Sequence, residues 1–309
     1  MPINFLPTGA WAFVNPPQFI VETSFGVTPA SGTWSLLGDV TGISPNFGIQ
    51  KEVVRVIGKR TPVTQTKLME VYAGALRYRP YDDVMMKYGI NVADESSPSG
   101  NNAESISIMW SMLINGDTKF FGLQGVKTDK ISTEISKDGG VMNGQDYRWY
   151  QSYLYKDDLS NMGVTTPDYL TVADIPNTSP WTSLTGGTDP FEIESVVVPT
   201  DRIKIDVNQN LDGISPNGSD SVEYLGATTW EASVDWDIWA KDAVWWNYLK
   251  NLTLVDGVYT INSDVSNPTV LNITDMGLDS RTFNLEGNSK NFQRESVAGT
   301  PNLLNLAAS

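Results

Sequence analysis

The chain contains no cysteine and no histidine. Those two absences exclude disulfides, cysteine nucleophiles, Ser-His-Asp triads, histidine acid–base chemistry and nearly every zinc site. Charge is sparse as well. Only 18% of residues are charged, and 36 acidic residues stand against 21 basic ones. A formal net charge of −15 repels nucleic acid and anionic membranes at long range, so sequence-specific DNA binding is not expected. No run of ~20 apolar residues is present, so no membrane-spanning helix is expected. The start of the chain lacks a basic region followed by an unbroken apolar run, which argues against a secretory signal. The sequons at Asn177, Asn251 and Asn272 therefore carry little weight.

What is present is a large core in the making. Forty per cent of residues are hydrophobic, 10 are tryptophan, and Ser, Thr, Asn and Gly are abundant. A chain of 309 residues fits ~2 domains, and this balance reads as strands and turns rather than helical bundles.

The clearest stretch is Thr229–Lys250. Trp230, Ala232, Val234 and Trp236 alternate with Glu231, Ser233, Asp235 and Asp237, the pattern of a strand with one buried and one wetted face. The period then changes. Ala243, Trp246, Tyr248 and Leu249 form one stripe of a short helix, with Asp242 in its first turn and Lys250 in its last.

Earlier in the chain, Pro2, Pro7, Pro16, Pro17 and Pro29 rule out regular helix and predict an extended N-terminal arm over residues 1–33, with Phe19–Val21 as a candidate edge strand. Its apolar residues Phe5, Leu6, Trp11, Phe13 and Phe19 favour ordering on a neighbouring subunit, with Phe5, Trp11, Phe13 and Phe19 as contacts. Lys51–Lys67 differs in kind, with Lys51, Arg55, Lys59, Arg60 and Lys67 against the single acid Glu52. It reads as a long β-hairpin or loop of apolar and basic character, either merely solvated or suited to docking on another acidic copy of the chain. Tyr72–Tyr78 alternates as a strand, and Asp82–Tyr88 reads as a short helix stopped at Gly89. Strands follow at Ser105–Ile114 and Thr118–Gly122 around an Asn115-Gly116 turn, then at Gly125–Ser136 and Tyr147–Tyr155, with Lys137–Gln145 as a turn. Residues 156–190, rich in proline, read as a linker or long loop.

Gly42-Ile43-Ser44-Pro45-Asn46 recurs as Gly213-Ile214-Ser215-Pro216-Asn217. Each copy, read as a turn, precedes an alternating strand (Tyr72–Tyr78, Trp230–Trp236), a short helix (Asp82–Tyr88, Asp242–Leu249) and a hairpin, the second with Asp256-Gly257 at its tip. This order predicts a mainly β module with one helix, duplicated within the chain: a first module over 34–155 and a second over 191–309. The extra length of the first copy is the basic hairpin.

The segment Glu22-Thr23-Ser24-Phe25-Gly26-Val27-Thr28-Pro29 resembles the start of tail tube (major tail) proteins of long-tailed phages and archaeal viruses. The resemblance continues through Gly58-Lys59-Arg60, Ala73-Gly74-Ala75-Leu76, the helix ending at Gly89 and Phe121-Gly122-Leu123-Gln124-Gly125-Val126-Lys127. It covers most of the first half, and the second half only through the order of elements. It implies a tail-tube-type β-sandwich or barrel module that forms rings, stacked into a tube that conducts DNA during ejection. Glu231, Asp235 and Asp237 would then line the lumen, and Lys51, Arg55, Lys59, Arg60 and Lys67 would dock between rings. Three duplicated chains would give a pseudo-sixfold ring, favoured over a plain hexamer. Partners would be other copies, the terminator, tip and tape measure proteins, and DNA in transit, with no membrane. The location would be the virion tail, after synthesis in the host cytoplasm.

Catalysis has little to stand on. Asp82-Asp83, Asp157-Asp158 and Asp235/Asp237 are the available carboxylate pairs for glycosidase-like chemistry, yet helix capping and a solvent face account for them. Asp206–Gly213 spaces oxygens like a calcium loop but lacks Gly at the sixth position and Glu at the twelfth, so a hairpin turn is expected there. No enzyme activity, cofactor or metal is expected. The alternative function is a carbohydrate-binding or adhesin-like β-sandwich of a virion or cell surface.

Overall fold

The computed structural model describes residues 13–54, 57, 60–61, 64–90, 105–136, 140–164, 169–175, 191–214, 224–239, 244–261, 269–284 and 294–308. In chain order the first half contains β1 (Phe13–Val21), β2 (Ser35–Leu36), β3 (Asp39–Val54), β4 (Thr64–Arg79), α1 (Val84–Ile90), β5 (Ile106–Ile114), β6 (Asp117–Ser136), β7 (Gly140–Arg148) and β8 (Gln151–Lys156). The second half contains β9 (Phe191–Ile193), β10 (Val196–Val197), β11 (Thr200–Asn208), β12 (Leu211–Ile214), β13 (Tyr224–Ala227), β14 (Glu231–Trp239), α2 (Val244–Asn251), β15 (Val255–Ile261), β16 (Thr269–Asn284), β17 (Arg294–Thr300) and β18 (Leu303–Ala308). The protein is mainly β. Among the described residues its strands form one 16-stranded antiparallel sheet that does not close on itself, plus the small β12–β13 ribbon.

Two of the long strands, β6 and β16, explain how one sheet forms two layers. β6 runs 20 residues and turns at Gly125, whose φ of 65° is left-handed, a conformation glycine adopts without steric penalty. Before the turn β6 pairs with β5 and β8; after it, with β7 and β11. β16 does the same around Asp275, φ 49°: first β15 and β18, then β17. The other pairings recur in the same order. β1 pairs with β2 and β5, as β9 pairs with β10 and β15. β4 joins β3 to β7, as β14 joins β11 to β17. The β6–β11 pairing links the halves, so β3-β4-β7-β6-β11-β14-β17-β16 is one continuous layer.

Two cores form, one within the first half and one mainly in the second, the latter also taking in Ile131 and Ile135 of β6 and Val141 of β7. Phe19, Leu76, Tyr78, Ile108, Trp110, Leu123, Tyr147 and Trp149 belong to the first. Ile203, Ile205, Val234, Trp236, Tyr259 and Leu271 belong to the second. There Phe191 sits edge-on to Trp236 with ring centroids 5.5 Å apart, the favoured aromatic geometry. α1 bridges the two, with Met85 in the first core and Met86 and Ile90 in the second. The Gln209 amide group closes the end of α1 by donating to the carbonyl oxygens of Tyr88 (3.3 Å) and Gly89 (3.1 Å).

Several expectations change. Gly42–Asn46 is not a turn but part of β3, in register with Leu76, Ala75 and Gly74. By pairing, its counterpart in the second half lies in β11, not at Gly213; residues 215–217 of the second pentapeptide lie outside the described residues. Asp256 and Gly257 lie inside β15, which bulges there instead of turning. Tyr147–Tyr155 breaks at Trp149 and Tyr150 into β7 and β8, and β7 occupies most of the expected turn at 137–145. α1 begins two residues later than expected, at Val84, because the amide of Val84 donates to the Asp82 carboxylate, making Asp82 a cap; Asp242 and Ala243, expected in the second helix, lie outside the described residues. The start of the expected linker is structural. Leu159, Met162 and Val164 bury against Ile20, Trp34 and Met109 on the back of β1 and β5.

Candidate functional site

In the continuous layer, directly paired residues share a face. One face is the core. On the other, Glu231, Ser233, Asp235 and Asp237 of β14 stand beside Asn208, Asp206, Lys204 and Arg202 of β11. Those in turn stand beside Lys130, Ser132, Glu134 and Ser136 of β6. The expected lumen residues Glu231, Asp235 and Asp237 are thus on one face together, opposite Trp236. That face is not uniformly acidic. Arg202 lies 3.8 Å from Asp237, and Lys204 donates to Asp206 at 2.6 Å. Asp237 is only 7% exposed and accepts the Ser296 hydroxyl at 2.5 Å, so it is a fixed element of the sheet rather than a free wall charge. Partial burial raises the Asp235 carboxyl above its ordinary range, against the lowering influence of Lys204. At Asp206 burial acts the same way, but the hydrogen bonds from Lys204 and Ser132 outweigh it and hold the carboxyl below its ordinary range. In the first half, Arg77 lies beside Gly144 on this same face, and Ala75 beside Asp146. The face is therefore polar with interleaved signs. At its end, a groove of about 580 Å³ lies among Lys130, Asn208, Trp230, Glu231, Ser233 and Asn302.

The basic stretch does form a hairpin. β3 and β4 stay paired to Val54↔Thr64, well past the last β4–β7 pair at Ala73↔Arg148. Lys51 and Lys67 are direct register partners, an arrangement of like charges that a sheet tolerates poorly by itself. Arg60 is exposed at the loop and Ile57 fully so. Arg55 and Lys59 lie outside the described residues.

The arm is placed differently from expectation. Phe5 and Trp11 lie outside the described residues. Phe13 pairs with Met112 as the first residue of β1. Phe19 is 2% exposed in this chain's own core, pairs with Ile108, and meets Tyr88 edge-on at 6.5 Å. Residues 13–21 are therefore a strand of the first half rather than a free arm, because β5 supplies their hydrogen-bond partners.

Two buried charges lie outside the candidate site residues that the sequence singles out. Glu22, 7% exposed, accepts the hydroxyls of Ser105 and Ser107 (both 2.6 Å) and the amides of Gly26 and Gly125 (both 2.8 Å). Thr28 of the same segment shares a 2.7 Å hydrogen bond with Ser107 and accepts from Gln124. Lys127, 4% exposed, lies 5.4 Å from the centre of the Phe25 ring and donates to the carbonyl of Leu225 at 2.9 Å. A glutamate before a Ser/Gly-rich turn was the available signal for the first; nothing local marked the second.

The carboxylate pairs are engaged structurally. Asp83 pairs with Lys87 at 2.7 Å, Asp157 with Lys119, and Asp158 accepts the Ser160 amide at 2.9 Å. In the calcium-like segment, Asn208 and Asn210 bond each other and Leu211 donates to Asp129, a tight corner between β11 and β12. Among the described residues no group of three or more His, Cys, Asp or Glu is arranged to hold a metal, and no helix is long and apolar enough to cross a membrane. No protein-family model matches the chain, and no curated protein matches it.

Proposed function

We propose that this chain is the structural subunit of a viral tail tube, forming stacked rings around a channel that conducts DNA during ejection. One observation carries the reading: the same order of strand pairings occurs twice along one continuous layer that has a core face, a polar face and two ends with no described neighbour. Such a layer has edges that a ring of copies would remove. In this reading the halves are duplicated tail-tube-type modules, and three chains supply six of them in a pseudo-sixfold ring. The Glu22–Pro29 segment adds support, since the residues that carry the resemblance are those that fasten β1 to β5 and to the turn of β6.

The polar face would line the lumen. Two of its cations, Arg202 and Lys204, lie in ion pairs with Asp237 and Asp206, which weakens their pull on phosphates. The overall charge of −15 keeps DNA from adhering at longer range. The chain would therefore pass DNA by local charge pairing rather than by a uniformly acidic wall. The basic hairpin would dock on the acidic body of the next ring. Terminator, tip and tape measure proteins would be its other partners in the virion tail.

A second reading, a carbohydrate-binding or adhesin-like β-sandwich, draws on the groove beside Trp230, where an aromatic ring and polar side chains meet. Electron microscopy of the purified chain separates the two. Rings or tubes with a central channel are expected; dispersed monomers that bind immobilised glycans would overturn the tail reading in favour of the second.

A further inference from the structure

The pairing that joins the two halves, applied once more, calls for a second copy of the chain. After its turn, β6 has β7 on one edge and β11 on the other. After its turn, β16 has β17 on one edge and no described strand on the other. At the opposite end of the layer β3 pairs with β4 and with no other described strand. β3 also matches β11 in detail: each carries one extra residue against its partner, Thr41 in β3 and Asp201 in β11.

We propose that β16 of one copy pairs antiparallel with β3 of the next, in the register β6 uses with β11. Lys130, Ser132 and Glu134 stand opposite Asn208, Asp206 and Lys204. The corresponding seam places Ser280 opposite Gly48, Thr282 opposite Asn46 and Asn284 opposite Ser44 of the neighbour. The contact is head to tail, so it either closes a ring or propagates.

Two residues single out this partner. Asp129 is the extra residue of the β6 bulge. Its carbonyl accepts the amide of Gln209 at 2.8 Å and its carboxylate the amide of Leu211 at 2.7 Å, clamping the end of β11. Asp279 is the extra residue of the corresponding β16 bulge and is exposed. Its carboxylate holds the Thr300 hydroxyl at 2.5 Å, where Asp129 holds Arg148 at 3.3 Å. In the seam it receives the amides of the neighbour's Ile49 and Lys51.

Pro45 is the second. Because amides alternate in direction along a strand, the Gln209 amide facing β6 puts that of Ile205 on the same side. Pro45 is the β3 counterpart of Ile205, so its nitrogen faces away from β4, where a missing N–H breaks no bond within the chain. An edge with one donor removed resists indiscriminate pairing while keeping the remaining bonds for a partner in register.

The absence of native cysteine makes the test direct. Oxidised full-length chain carrying Thr282→Cys and Asn46→Cys is expected to form covalent oligomers on a non-reducing gel. Each single variant, and the off-register pair Thr282→Cys with Ser44→Cys, is expected to stay near background. Pro45→Val, which returns one donor, is expected to raise self-association about fivefold per seam, and Asp279→Ala to lower it. No crosslink in the registered pair, or an equal one off register, overturns the seam. The seam rests on the ring-forming part of the proposed function only. Registered crosslinks without stacked tubes would uphold the seam and sink the tail reading; tubes without crosslinks would do the reverse.

Discussion

Glu22 accepts the amide of Gly125 at 2.8 Å, a hydrogen bond that spans 103 residues and ends on the left-handed turn of β6. The second half uses the same device with different residues: the amide of Asp275, at the turn of β16, donates to Asp256 at 2.9 Å. A strand that leaves one layer for another exposes an amide at the turn, and a carboxylate satisfies it.

Replacing Glu22 by Gln should therefore destabilise the protein although it preserves shape. The Gln side chain carries no charge and brings donors where Ser105, Ser107, Gly26 and Gly125 already donate. The expected loss is about 3 kcal/mol, since hydrogen bonds to buried charges are worth more than neutral ones. Chemical denaturation measures it, and an unchanged midpoint would show that the turn is held by other means.

Stability should pass through a maximum near pH 10. Burial pushes Lys127 down to about 8 from 10.5, against the raising influence of Glu22. Between those values the unfolded chain binds more protons, so stability rises with pH by at most about 1.4 kcal/mol per unit. Tyr78, Tyr147 and Tyr259 are pushed above their ordinary 10 by burial. Their contribution is full below pH 10 and is lost above it. Lys127→Met should remove the rising limb and leave the falling one; a wild-type profile that only falls from pH 8 contradicts the assignment.

Gly74 and Tyr147 are direct partners, and a Cβ at Gly74 would lie 2.7 Å from the Tyr147 ring. The corresponding pair of the second half, Val234 and Gly299, puts the glycine on the opposite strand. Gly74→Ala should cost ~1–3 kcal/mol by overpacking. Combined with Tyr147→Ala, the loss should be smaller than the sum of the singles by at least ~0.5 kcal/mol. The Ser44 carbonyl, 2.8 Å from the same point, keeps that relief partial. Strict additivity would refute the coupling.

Asp129→Ala should loosen the junction between the halves. The amide of Leu211 loses its carboxylate acceptor and Arg148 loses its ion pair, for about 1–3 kcal/mol. Hydrogen exchange at Leu211 should accelerate more than at Val234 in the neighbouring strand. Equal acceleration at both would indicate global destabilisation instead.

Lys67→Glu should act in opposite directions on fold and assembly. It turns the Lys51↔Lys67 register into an attractive pair worth ~0.2–1 kcal/mol and, under the proposed function, weakens the docking of the basic hairpin on the next ring. Thermal stability of the unassembled chain should rise slightly and tube length should fall, most at low salt. Tubes of unchanged length would remove the hairpin from the ring contact.

The residues of β14 show what sequence alone determined. Alternation placed Ala232, Val234 and Trp236 in the core and Glu231 and Asp235 on the other face, since period two states which side of a strand meets an apolar environment. It likewise supplied the mainly β class, both short helices, the Asn115-Gly116 turn and the basic hairpin, all of which depend on neighbours a few residues away. It did not state who the partners are. Gly42–Asn46 has turn composition yet lies in β3, because β4 provides register along its whole length. Phe19 reads as a sticky arm residue yet is core, because β5 lies beside it. Asp237 reads as a wall charge yet is held by Ser296 and Arg202. Glu22, Lys127 and Asp129 take their meaning from groups 82 to 103 residues distant. Tertiary structure decided these, because hydrogen-bond register and desolvation depend on strands brought together only by folding, and local pattern carries no record of which strand arrives.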